Sequence, residues 1–150
     1  PAALTIGLAR SVLVIMEKGQ VLDTIVYTLA NLLQGMPTVL IALGIFLIVT
    51  FLNIFVISAS GKAVTLMPIL APLADIVGVN RQVVVLAFQF GDGFTNWFWP
   101  TSAITMAGLA MAGGIPWERW ARWTFKLFAI WFIVGGILVT IAHIVKVGPF

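Results

Sequence analysis

The stretch that decides the fold is SASGKAVTLMPILAPLADIVGVNRQVVVLAFQFGDGFTNWFWPTS, residues 58–102. It holds two apolar runs, 63–74 and 83–90, each beside a cluster of Ser, Gly, Thr, Asn or Pro. Twelve residues of helix rise about 18 Å, little more than half of a hydrocarbon core roughly 30 Å thick. Pro68 and Pro72 are expected to shorten the first run further. Upstream, 38–57 is a charge-free apolar segment opened by Pro37 and holding one Asn; downstream, 103–112 is a third short run. The pattern predicts a re-entrant helical hairpin over 37–74, its tip at 58–62 inside the membrane. A discontinuous helix follows over 83–112, broken at 91–102, and then an ordinary last span over 124–145.

Composition agrees. The 150 residues are 61% hydrophobic and 9% charged, with a mean hydropathy of +1.14. Soluble domains carry about 25% charged residues, so a water-soluble globule, a disordered chain and a coiled coil are excluded, and an all-α polytopic membrane protein remains. The net charge of +3 is spread thinly and offers no basic stripe to a nucleic acid. The absence of cysteine removes disulfides, thiol catalysis and thiolate metal sites. With no nucleophile–base pair, phosphate loop or metal cluster in view, no catalytic residue, metal or cofactor is expected. A chain starting at Pro1 reads as a piece of something longer or as a short product, and it holds at most five or six spans. Residues 1–16 read as the end of a transmembrane helix. Residues 21–36, with polar and apolar positions interleaved, read as an interfacial amphipathic helix or a span inside a bundle. The expected organisation is thus 1–36 and 37–150. The Trp/Arg-rich 116–123 is the most basic stretch and belongs on the cytoplasmic side, which puts the 75–81 link outside.

Non-helical backbone in a bilayer must be paired by protein, water or ligand. In secondary transporters such breaks gather substrate anions at half-helix N-termini and coupling cations at bare carbonyls. Ser58, Ser60, Thr95, Asn96, Thr101 and Ser102 supply neutral oxygens here, and Gly61, Gly91 and Gly93 allow close backbone approach. Helices beginning after Gly61 and after Thr101 would turn positive dipole ends toward an anion. The plain alternative is that Pro and Gly merely kink these helices and Ser/Thr tie them to neighbours. A sodium ion between tip and loop is the expected coupling ion, with a proton on Asp92 as the competing mechanism.

Among single residues, Lys62 has three readings: it attracts a substrate carboxylate, pairs with Asp92, or reaches water from a shallow tip. Asp92 either binds a cation or proton or caps the helix break. His143 reads as an interface anchor, Trp117, Trp120 and Trp123 as a membrane-interface belt. Gly135–Gly136 and the Gly108/Ala112 pair read as close helix packing.

The quoted stretch, with SxSGxAxTLMPILAPLAD and AFQFGDGFTNxxxPTS as its specific parts, resembles the YfcC-type C4-dicarboxylate anaerobic carrier-like proteins of the ion transporter superfamily. The resemblance runs over nearly the whole chain, including GLARSVLVIMEKGQVLDTIV near the start. It implies the C-terminal half of a carrier of two inverted repeats, each giving one hairpin and one broken helix to a moving transport domain. Ser58, Ser60, Gly61 and Lys62 would then stand with Pro100, Thr101 and Ser102 at the substrate, and Ser58, Gly91, Asp92, Thr95 and Asn96 at the ion. The expected solute is a small carboxylate such as a C4-dicarboxylate or amino acid, moved across the bacterial inner membrane. Expected partners are the lipid bilayer and the N-terminal half of the carrier, with a homodimer left open. The rival class is a non-transporting structural or assembly subunit that keeps the fold.

Overall fold

The structure is a computed structural model that describes residues 35–148, together with residues 14, 15, 18–20, 24, 28 and 31. The two expectations upstream of Met36, a scaffold helix end and an interfacial arm, fall almost wholly outside the described residues. The described residues form five helices and no strand. They are α1 (Thr38–Leu52), α2 (Ala59–Val77), α3 (Arg81–Gly93), α4 (Ala103–Met111) and α5 (Trp117–Ile144).

Each start has a local cause. Pro37 and Pro116 precede α1 and α5 in extended backbone, where a missing N–H costs nothing. Ser58, Asn80 and Ser102 cap α2, α3 and α4 with their side-chain oxygens, which accept from Gly61, Gln82 and Thr105 N–H. The α2–α3 turn passes through Gly78 at φ 72, a left-handed conformation that glycine adopts without cost. A bidentate pair from Arg81 to Asp75, at 2.8 and 2.5 Å, closes the same turn.

Several boundaries differ from the sequence reading. α1 ends at Leu52 rather than running to Ile57, and a tightened turn with Ile54 N–H on Phe51 O and Phe55 N–H on Leu52 O follows. α2 starts four residues earlier than expected and continues past both prolines to Val77. Its 19 residues rise about 28 Å, so the returning helix is not half-length. Pro68 and Pro72 lie on the same exposed stripe as Val64 and Ile76, while Leu66, Leu70, Leu73 and Ala74 face the core. The rings therefore point away from the packing they would otherwise disturb. The 116–123 belt is helical as well, forming the first turns of a 28-residue α5. α2 and α5 are both long and apolar enough to cross a membrane. An interruption between α3 and α4 is present, but α3 runs on to Gly93, so the non-helical stretch is 94–102 rather than the expected 91–102.

α1 lies at the centre, against α3 on one side and α5 on another, with α2 packed on α3. Ile41, Ile45, Phe46, Val49 and Leu52 from α1 meet Val83, Val84, Ala87 and Phe88 from α3 and Val139 and Ala142 from α5. Phe46 packs against Phe132 with ring centroids 5.1 Å apart and planes tilted by 39°. The outer face of α5 leaves Trp123, Ile130, Ile133, Ile137, Ile141 and Ile144 exposed, an apolar surface suited to lipid or protein rather than water.

The α1–α3 seam closes at Gly91. A Cβ there would stand 2.9 Å from the Phe46 carbonyl oxygen and 3.0 Å from Val49 Cβ. Gly135 of α5 is likewise pressed against the Phe46 and Phe94 rings, whereas Gly108 of α4 has open space around it. Gly91→Ala should thus force α1 and α3 apart and cost about 1–3 kcal/mol. Gly108→Ala should be neutral or slightly stabilising. Thermal unfolding of the two variants checks this, and equal melting temperatures would contradict the seam.

Candidate functional site

α1 and α3 end side by side, and α2 and α4 begin near those ends. Four polar side chains meet there, all nearly without exposure: Asn53, Lys62, Asp92 and Thr95. Lys62, on the first turn of α2, donates to both Asn53 Oδ1 and Asp92 Oδ1. The Asn53 Nδ2 group donates to the Asp92 carbonyl and to Thr95 Oγ1, each at 2.9 Å. Thr95 Oγ1 in turn donates to the Gly91 carbonyl at 2.5 Å. A buried ion pair survives only where further hydrogen bonds saturate it; Asn53 Oδ1 supplies one to the Lys62 ammonium, while Asn53 Nδ2 holds the Asp92 main chain.

A second set of bonds ties the two non-helical segments together. Asn96 Nδ2 donates to the Ile57 carbonyl at 3.1 Å, and Thr101 Oγ1 donates to the Ile54 carbonyl at 2.8 Å. Within the break, Thr105 Oγ1 donates to the Trp97 carbonyl at 2.8 Å, and Trp117 Nε1 donates to the Phe98 carbonyl at 3.1 Å. Carbonyls freed by unwinding are thus met by side chains, as a bilayer requires. The turn after α1 and the break after α3 are thus in hydrogen-bonded contact.

Beside this knot lies a cavity of about 540 Å³. Ser58 and Ala59 line it from the start of α2, Ser102 and Ala103 from the start of α4, and Asn96 and Trp97 from the break. Two capped helix N-termini therefore open on one space. N–H groups and dipole ends there favour an anion, and the volume suits a small solute.

The residues singled out from sequence divide into three groups. Ser58, Gly93, Asn96 and Ser102 line the cavity. Lys62, Gly91, Asp92 and Thr95 belong to the buried knot and its seam, Lys62 pairing with Asp92 rather than reaching water. Ser60 is exposed with its Oγ 3.4 Å from Ser58 Oγ, Gly61 serves through its N–H on Ser58, and Thr101 ties backbone. Pro100 is exposed and does not line the cavity. Asn53, Trp97 and Thr105 were not singled out. Asn53 had a signal: it is the lone amide in a 20-residue apolar stretch, and a polar residue at such depth usually has a task. At the far end of α5, His143 Nε2 lies 2.9 Å from Thr38 Oγ1 and joins the last span to the first described helix.

The chain matches the family DcuC, C4-dicarboxylate anaerobic carrier, over residues 1–144. It is 41% identical over 142 residues to YfcC of Escherichia coli (strain K12), whose name marks it as a candidate basic amino acid antiporter. It is 37% identical over 139 residues to an uncharacterized protein of Haemophilus influenzae. These alignments cover 91% and 93% of this chain but only 28% and 27% of the two relatives. The chain therefore spans less than a third of the length of the curated relatives it matches. No solved structure matches it significantly. Family match and relatives agree, and the chain belongs to the C4-dicarboxylate anaerobic carrier family, a family of membrane transporters.

Proposed function

We propose that this chain is the solute-gripping part of an ion-coupled secondary transporter that moves a small carboxylate-bearing solute across the bacterial inner membrane by alternating access. The observation that carries the reading is the pair of helix N-termini, α2 capped by Ser58 and α4 by Ser102, on one cavity of about 540 Å³. A carboxylate is the chemical group shared by the family's C4-dicarboxylates and by the amino acids in the Escherichia coli relative's name. Both would present that group to the same two dipole ends. Trp97 at the cavity wall adds an aromatic face suited to the rest of the solute.

The finer architecture belongs to the same proposal. α1, at 15 residues, rises about 22 Å and falls short of a bilayer. With α2 it makes a re-entrant hairpin whose tip meets the α3–α4 break, and this unit is part of the second of two inverted repeats. The acceptors around Asp92 form the cation-favouring side of the site.

In proteoliposomes carrying the full-length carrier, Ala103→Glu places a fixed negative charge beside the proposed carboxylate. Like charges that close cost several kcal/mol, so uptake of a labelled carboxylate solute should fall at least about tenfold. Ala103→Gln, of similar size, should keep most of it. Equal activity in the two variants would rule out anion recognition at this cavity.

Topology gives an independent check. In a cysteine-free background, a cysteine replacing Arg119 should react with an impermeant maleimide only after the inner membrane is opened, and one replacing Asn80 should react in intact cells. Reaction of both from the same side would break the proposed path of α3 and α4.

A further inference from the structure

Lys62 sits in an unusual place for a cation. It is on the first turn of α2, next to the positive end of its own helix dipole, where a positive charge is disfavoured. It is 2% exposed, so its ammonium has no route to water. Its partners lie instead where two other helices finish: Asn53 directly after α1, and Asp92 in the last turn of α3. That is the negative end of both dipoles, with Thr95 Oγ1 and the Asp92 carbonyl in the same cluster. In broken-helix transporters such a meeting of helix C-termini, carbonyls and side-chain oxygens is where a coupling cation is held.

We propose that Lys62 is a tethered counter-ion that fills this cation position, so that the break takes no free sodium while the ammonium is in place. The sodium expected from the sequence would then be supplanted at this break by a charge the chain carries itself. The oxygens left on removing it, Asn53 Oδ1 and Asp92 Oδ1, are the hard neutral and anionic ligands a small monovalent cation uses. Because α2 brings the ammonium and α1 and α3 bring its acceptors, the pair also locks the tip against the break without help from the medium. The inference rests on reading the break as part of a transport site, yet its test is a binding measurement that needs no uptake.

The full-length carrier is purified in choline chloride, and thermal unfolding is followed with and without about 150 mM sodium chloride. Native protein sets the baseline response, including any sodium site elsewhere in the carrier. Lys62→Ala should unfold at a lower temperature in choline and gain roughly 3–6 °C more from sodium than the native protein does. The gain should vanish in Lys62→Ala/Asp92→Asn, where no unpaired carboxylate remains, and in Lys62→Arg, which keeps the cation. A native-like sodium response in Lys62→Ala, or a gain that persists without the Asp92 carboxylate, would overturn the proposal. So would a Lys62→Ala protein that cannot be recovered in sodium although the double variant folds. A carrier that passes this test but moves no carboxylate would sink the functional reading and leave the counter-ion standing.

Discussion

Everything in this structure depends on keeping unwound backbone satisfied at a depth where water is scarce. Each unpaired carbonyl there costs several kcal/mol, and the chain opens two helices at neighbouring points, after Leu52 and after Gly93. Asn96, Thr101, Thr105 and Trp117 each cap one of the freed carbonyls of these segments. Only with those bonds made can the helix starts at Ala59 and Ala103 be left to face a shared space. The hydroxyls and amides that read from sequence as ligand groups are, in large part, the scaffold that holds these unwound segments together.

Fold and site share a residue at Gly91. The absence of a side chain lets α3 approach the Phe46 carbonyl of α1, and the Gly91 carbonyl accepts from Thr95 at the start of the break. Helix spacing and break geometry are thereby fixed together. The Asn53 amide, reaching from the end of α1 to the Asp92 carbonyl, works across the same seam.

Hydropathy and punctuation made the membrane class legible, along with the last span and the interruption between α3 and α4. Gly, Pro and Asn at 91–102 leave little alternative there. The end of α1 was not legible, because Ile54, Phe55, Val56 and Ile57 are as apolar as the helix before them. What stops the helix is a partner about forty residues away in sequence, the Asn53 amide bound to Asp92 and Thr95. The length of α2 was misjudged for a different reason. Proline usually ends a helix in water, but its penalty is smaller where the rings project from the packed face. Lys62 and Asp92 were visible as charges out of place, and their pairing was one of three readings until the fold brought α2 onto α3.

The same prolines bear on what surrounds the molecule. Proline has no N–H, so Val64 and Pro68, each four residues before a proline, keep carbonyls that lack the usual helical donor. Both lie on the exposed stripe of α2, which ends in Ile76. Acyl chains offer a carbonyl nothing, whereas water or a hydroxyl from another helix does. That stripe is therefore poorly matched to lipid despite its apolar residues. It fits the wall of an aqueous path or the seat of a neighbouring protein segment, whereas the isoleucine-rich outer face of α5 has the composition that suits lipid.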